Sequence, residues 1–513
     1  RPFARQRMTM VSGLLCPRPS LFLALFLLLF AESYAAKYAW TMSHKATRGV
    51  QGSSSLSPNQ QRRIRKTRGE LVRRRQNHRP PTRLRANMRS SSTVELQSLI
   101  GNNPSQLNPD EQEVEGGEGI LTEGKFRWQK TGVDIHYLRA RPQPSAKALD
   151  HEEETNYDKG KHEDKQGTPP ILFLTGFGVG SFQFEESLKC MARKGRVAYS
   201  MDWLGQGKSW PEDIKGLQIS ADLWVEQAQA FIKDRIGQPV YVAGNSLGGF
   251  LGAQLAARYP DLVKGVVLYN AAPFWAFRPS EVFRPEKAED GGSLWHLVWD
   301  GKLPAPQIYR TFASRAFDNL RHEFNVKTLI DLVYAQKEAI PPKLVNKILE
   351  AASHPVGPDA YASILFSPKS KLSFAAALQT GAAAGVRYLM LYGREDPWVV
   401  PMWGQRAYLN LRLEAAKLGK PVDEVVRYLE ISPAGHCPHD EAPETVSQIT
   451  DDWLVALENN DGGHPLEGKI SIPCDIEEAD GRKIHVDFQG ERPPRNAGEW
   501  IGTISLRSKL SNR

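Results

Sequence analysis

The chain has 513 residues, 41% of them apolar and 24% charged, which is more than one ordinary domain and excludes a disordered or collagenous protein. Its formal charge of +8 is confined to one end: residues 1–94 hold 19 Lys and Arg against Glu32 and Glu70, which leaves residues 95–513 at −9. A body of that sign makes no case for nucleic acid as a partner, and four cysteines without CxxC spacing (Cys16, Cys190, Cys437, Cys474) exclude a disulfide scaffold and a cysteine-held zinc.

At the start of the chain Arg5, Arg7 and Arg18 precede an unbroken apolar run, Leu21–Ala31, and the small residues Ala35-Ala36 follow. The run is shorter than the ~20 residues a bilayer-spanning helix needs, so residues 1–36 read as a secretory signal. Residues 37–94 are rich in Ser, Thr, Gln and Arg and carry one acid, Glu70, the composition of a transit peptide. Together they resemble the two-part leader that delivers proteins to plastids bounded by more than two membranes. Residues 95–124, rich in Asn, Asp, Glu and Gly, are expected to be a flexible linker.

From Phe126 onward the pattern is that of a folded domain. Phe126-Arg127-Trp128-Gln129 and Val133–Leu138 alternate in character around Thr131-Gly132, as the strands of a hairpin do. After a charged loop at 141–168 come short apolar runs: Ile171–Leu174, Val197–Met201, Val240–Ala243, Val263–Tyr269, Val386–Tyr392 and Val425–Ile431. Near-continuous apolar strands alternating with helical patterns predict an α/β fold around a buried, mostly parallel sheet. The aromatic-rich stretch 273–385 is too long for a loop and is expected to be an inserted helical cap between core segments 125–272 and 386–458. The tail, 459–513, holds two strand-like pieces, Lys469–Ile472 and Lys483–Phe488, and no motif that assigns it a role.

Gly244-Asn245-Ser246-Leu247-Gly248 is a G-x-S-x-G between an apolar strand and a helix expected over Phe250–Tyr259. Such a turn holds a serine hydroxyl above the carboxyl end of a sheet, with a helix N-terminus behind it. A serine needs a base and an orienting acid to become a nucleophile, and in this architecture they follow in the order Ser, acid, His. Glu395 and Asp396 lie in a loop after one strand, and His436 and His439 lie after the next. Both loops fall at carboxyl ends of strands, where open α/β sheets bind ligands. His436 follows Gly435 at a loop tip and is favoured as the base; His439 opens the next helix and reads as structural. Oxyanion donors are expected from the backbone N–H of Leu247 and from that of Phe177 in the glycine-rich turn Thr175–Gly180. That turn lacks the G-K-[ST] of a phosphate loop. Asp202-Trp203-Leu204-Gly205-Gln206-Gly207 is assigned to the fold.

The stretches LTGFGVGSF (174–182), VYVAGNSLGG (240–249), VKGVVLYNAAPFWAF (263–277), LMLYGREDPWV (389–399) and EISPAGHCPHDEAPE (430–444) carry a resemblance. The chain resembles the α/β-hydrolases, and among them the plastid serine hydrolases of the pheophytinase and chlorophyllase type, which take phytol off chlorophyll-derived pigments. The resemblance implies Ser246 as nucleophile, Asp396 rather than Glu395 as the acid and His436 as the base. It implies a pigment ester as the small-molecule partner, peripheral contact with thylakoid membrane or pigment–protein complexes, no cofactor and no metal. A phytyl chain and a flat macrocycle call for an apolar, aromatic cavity; Phe274, Trp275, Phe277 and Trp398 are its candidates. A plastid acyl-lipid esterase or phytol acyltransferase is the nearest rival, and an inactive scaffold with this fold is the rival of another class.

Overall fold

The computed structural model describes residues 111–114, 120–142, 168–271, 299–459 and 475–488. The sheet begins with a meander, β1 (Gln112–Glu113), β2 (Leu121–Trp128) and β3 (Val133–Ala140), all antiparallel. β4 (Ile171–Leu174), β5 (Ala198–Met201), β6 (Val240–Asn245), β7 (Val263–Tyr269), β8 (Arg387–Gly393) and β9 (Val426–Ser432) are mutually parallel. A hairpin, β10 (Asp475–Glu477) and β11 (Lys483–Phe488), closes the far edge antiparallel to β9. The eleven strands run in the order β1-β2-β3-β5-β4-β6-β7-β8-β9-β11-β10. This is the α/β fold expected, its parallel centre flanked by antiparallel edges.

Unbroken apolar strands demand cover on both faces, and the helices supply it. α1 (Glu185–Arg193), α2 (Ala221–Ala230) and α3 (Leu247–Arg258) precede β7; α4 (Gln307–Leu320), α5 (Glu323–Val333), α6 (Leu344–Ala352), α7 (Gly357–Phe366) and α8 (Phe374–Ala383) lie between β7 and β8. α9 (Pro401–Leu418) joins β8 to β9, and α10 (Pro438–Glu441) and α11 (Pro443–Asn459) follow β9. Successive side chains of a strand point to opposite faces. Thus Leu172 and Leu174 pack with Phe250 and Leu251 of α3, while Ile171 and Phe173 pack with Leu188 of α1 and Trp453 of α11.

Three boundaries differ from the sequence reading. The segment taken as a linker contains β1 and the first residues of β2. Its polar composition concealed an anchor: Glu111 is buried and accepts from Arg139 Nη1 at 2.9 Å, with Arg235 on its other oxygen. α8 falls within the stretch assigned to the cap, yet Ala377 and Leu378 join the sheet's own core beside Phe250 and Val266. α3 starts at Leu247, three residues before the expected Phe250, because Gly248 and Gly249 are helical here rather than part of the turn. Of the tail's two strand-like pieces, Lys483–Phe488 is β11, and Lys469–Ile472 lies outside the described residues.

Arg196, wholly buried just before β5, ties α11 to the sheet. Its guanidinium donates to both oxygens of Glu458 at 2.8 and 3.1 Å, and to Asp451. Arg196→Ala is expected to cost about 3 kcal/mol of unfolding free energy, the lower end for a broken buried pair, because the two carboxylates left behind still reach water. Urea denaturation checks this, and Arg196→Lys should recover only part, since an ammonium cannot reproduce the two-pronged contact.

Candidate active site

β6 ends in a sharp turn. Ser246 sits there at φ 54°, ψ −117°, a backbone conformation that costs an L-residue about 1–3 kcal/mol and persists only where its surroundings enforce it. The enforcement is visible: Ser246 N–H donates to Tyr269 O at 3.0 Å, while its carbonyl accepts from Phe250 N–H at 3.2 Å and starts α3. Two glycines make the turn possible. A Cβ on Gly244 would meet the Gly248 carbonyl carbon at 2.4 Å, and one on Gly248 would meet Leu174 O at 2.0 Å.

The turn after β4 passes beside the serine, so that a Cβ on Gly176 would stand 3.7 Å from Ser246 Cβ. Its course is set by two side-chain amides: Gly176 N–H donates to Gln183 Oε1 at 2.9 Å and Gly178 N–H to Gln206 Oε1 at 2.6 Å. Phe177, between them, sets its ring centroid 6.2 Å from that of Tyr361 of α7, the two planes tilted by 42°. Gln206 belongs to the glycine-rich stretch assigned to the fold, and Asp202 organises that stretch by accepting from Ser181 N–H at 2.5 Å and Lys208 N–H at 2.6 Å.

Asp396 and His436 meet. His436 Nδ1 lies 2.7 Å from Asp396 Oδ2, and both side chains are buried. The carboxylate is held from three further sides: Oδ1 accepts from Trp398 N–H at 2.7 Å and Val399 N–H at 3.0 Å, and Oδ2 from Asn270 Nδ2 at 2.7 Å. The histidine loop is tied at its backbone. His436 N–H donates to Val333 O at 2.8 Å, and His436 O accepts from Asn245 Nδ2 at 2.9 Å. Asn245 immediately precedes Ser246, so one amide links the serine turn to the histidine loop.

The rivals have other duties. Glu395 has both oxygens engaged elsewhere, accepting from Ser432 Oγ at 2.7 Å and Ala434 N–H at 2.9 Å, and so braces the start of the histidine loop. His439 is wholly buried between the rings of Phe184 and Tyr269, with centroids at 4.4 and 5.6 Å. Burial, helped by the neighbouring His436, pushes its imidazole down to about 3, so it stays neutral. Trp398 lies beside the acid, its ring 5.6 Å from that of His436, and packs with Phe182 on the cluster of Ile330 and Val333 in α5. Phe274, Trp275 and Phe277 lie outside the described residues. Three other aromatics of the 273–385 stretch, Trp299, Tyr309 and Phe366, pack on one another. Among the described residues no group of His, Cys, Asp and Glu is arranged to hold a metal ion.

Sequence reasoning passed over Asn270, Gln183 and Glu441. Asn270, at φ 40°, follows β7 and also accepts from Gly393 N–H at 2.8 Å, so it sets the acid's position from below. Its signal was an Asn directly after an apolar strand, a residue type that tolerates positive φ. Glu441 accepts from Gly435 N–H at 2.7 Å, Ala335 N–H at 2.8 Å and Gln336 N–H at 2.9 Å. Burial pushes its carboxyl up to about 7, against the pull of those amides. Nothing in an acidic DEAPE stretch distinguishes it.

The model of the alpha/beta hydrolase family matches residues 171–449, more than half of the chain. The chain belongs to that family. It is 36% identical over 336 residues to a protein of Arabidopsis thaliana named pheophytinase, chloroplastic, an alignment covering 58% of this chain and 63% of that one. The chain thus spans about three fifths of that relative's length. A human (lyso)-N-acylphosphatidylethanolamine lipase is 29% identical over 23% of this chain and 34% of its own. An Arabidopsis thaliana 1-acylglycerol-3-phosphate O-acyltransferase is 23% identical over 28% of this chain and 36% of its own.

Proposed function

We propose that the chain is a serine ester hydrolase that removes phytol from chlorophyll-type pigments, pheophytin foremost and chlorophyll as the second candidate, and that it works in a plastid. The observation that carries the chemistry is the buried Asp396–His436 hydrogen bond beside the strained Ser246 turn; the substrate class rests on the likeness to a protein named chloroplastic pheophytinase. Ser246 Oγ attacks the ester carbonyl while His436 Nε2 takes its proton. The developing oxyanion is met by the N–H groups of Leu247 and Phe177. Collapse breaks the ester C–O bond; His436 returns the proton to the departing phytol oxygen, leaving the pigment acid on Ser246. Water, deprotonated by His436, then frees the acid. Asp396 holds the imidazole with its proton on Nδ1 throughout.

Pheophytin, chlorophyll, a galactolipid and a chromogenic ester, offered separately to the protein, test the reading by their products. Pheophorbide or chlorophyllide with phytol supports it. Fatty acid alone, or a fatty acyl group moved from the galactolipid to added phytol to give a phytyl ester and the lyso-lipid, replaces it with the acyl-lipid esterase or acyltransferase alternative that the more distant relatives' names suggest. A fluorophosphonate should label Ser246, as located by peptide mass spectrometry. A chain that neither labels nor turns over any ester is the inactive scaffold.

A further inference from the structure

We infer that the hairpin following α11 is a positioning element for His436, acting through Arg482; the inference rests on His436 being the general base. β11 lies along the last residues of β9, with His485 opposite Ser432 and Phe488 opposite Leu429. Ser432 is where β9 leaves the sheet to become the histidine loop, so the hairpin covers the strand that launches the loop. Without it that strand would be an unpaired edge.

The side chains make the link specific. Arg482 Nη1 donates both to Gln336 Oε1 at 2.8 Å and to the carbonyl of Glu441 at 2.7 Å. Gln336 in turn donates from Nε2 to Pro433 O at 2.6 Å, the first residue of the loop. The carboxylate of Glu441 accepts from Gly435 N–H at 2.7 Å, the residue just before His436. One guanidinium therefore joins the two groups that grip the loop at Pro433 and at Gly435. The fit leaves no slack, since a Cβ on Gly435 would meet Val333 O at 2.2 Å and Glu441 Oε1 at 3.0 Å. The hairpin is itself anchored. Glu478, also buried, accepts from Thr445 N–H at 2.9 Å and Glu444 N–H at 3.1 Å at the start of α11. Its turn is closed by Glu478 N–H to Arg482 O at 2.8 Å and Gly481 N–H to Glu478 O at 2.9 Å.

Why this bears on catalysis rather than on stability alone follows from distance tolerance. A hydrogen bond of 2.7 Å between Asp396 and His436 survives only small displacements of the loop, and misplacing a catalytic group by about 1 Å can cost about 10²-fold in rate. Gln336 is contributed by the segment after α5, so the bracket also ties the hairpin to the chain between β7 and β8.

The test uses the full chain and a chromogenic ester, together with the rate of fluorophosphonate labelling at Ser246, so that it does not depend on the pigment. Arg482→Ala is expected to lower kcat and the labelling rate by about 10–100-fold, with KM unchanged and the folded fraction, read by circular dichroism, intact. Arg482→Lys should restore part of the rate, because one ammonium can still reach one acceptor. Asp480→Ala removes the exposed acceptor of Arg482 Nε (2.6 Å) and of its backbone N–H (3.1 Å) while leaving both acceptors of Nη1, and should lower kcat far less than Arg482→Ala. Unchanged kcat in Arg482→Ala, or a fall matched by an equal loss of folded protein in both Arg482 variants, overturns the inference. A wild-type chain inert to ester and fluorophosphonate alike overturns instead the serine hydrolase reading on which it rests.

Discussion

Asp396→Asn is expected to lower kcat by about 10⁴, the loss found when the acid of another serine triad is made an amide, while KM barely changes and the unpaired Asn270 donor costs about 1–3 kcal/mol of stability. The local hydrogen bonds dictate how the new amide must turn. Oδ1 accepts from two backbone N–H groups, those of Trp398 and Val399, and these donors are fixed by the chain. The amide oxygen of Asn must take that place, which leaves its NH₂ pointing at His436 Nδ1 and at Asn270 Nδ2. Asn270 cannot turn to compensate without giving up Gly393 N–H, which its Oδ1 accepts at 2.8 Å. His436 Nδ1 is then forced to accept, and its proton moves to Nε2, the atom proposed to take the serine proton. The histidine is in place but in the wrong tautomer. Steady-state kinetics measures the loss, and nitrogen chemical shifts of the imidazole report the tautomer. A loss under tenfold would mean that Asp396 does not govern the proton on His436.

Asp396, His436 and Ser246 were readable because each sits where an apolar strand stops, and strands apolar on both faces are the easiest element to find in a sequence. Gly435 beside His436 marked the loop tip, and the steric count around that glycine shows why it is there. Other parts were hidden for physical reasons. Glu111 lies in a polar, acidic segment whose composition says linker, yet two distant arginines bury it; a tertiary ion pair leaves no trace in local pattern. Gly248 and Gly249 read as turn residues because glycine is a weak helix former, but they begin α3, where contact with neighbouring backbone outweighs propensity. Lys483–Phe488 and Val425–Ile431 were both legible as strands, whereas their pairing as β11 and β9 was not, since pairing across about 50 residues of chain is carried by backbone groups common to every sequence. Glu395 and Asp396 could not be separated by type or position; the resemblance favoured Asp396, and in the structure it is the carboxylate of Asp396 that meets His436.

Gly248→Ala should be among the most damaging small substitutions outside the reacting groups, and the reason lies in what surrounds the missing methyl. It would meet Leu174 O at 2.0 Å, Leu174 C at 2.5 Å and Thr175 O at 2.7 Å. All three are backbone atoms, so no rotamer change relieves the clash; the end of β4 must retreat. The expected cost is about 1–3 kcal/mol, the range for overpacking a filled interior, seen as a lower urea midpoint. The functional loss should be larger, because the chain that retreats leads directly into Gly176 and Phe177 beside Ser246. Drawing the Phe177 N–H, the proposed second oxyanion donor, away from Ser246 is expected to lower kcat by about 10²–10³, the effect of removing one such donor. Gly252→Ala, one turn further along α3, is the control. There the added methyl meets Val242 Cγ1 at 3.1 Å, the end of a side chain that can give way, and the better helix propensity of Ala returns up to about 1 kcal/mol. If the two variants lose activity equally, the G-x-S-x-G glycine is there for helix-start geometry in general. If only Gly248→Ala loses it, that glycine is there because β4 passes within contact of the serine turn, and the proposed oxyanion donors and nucleophile are held together by that approach.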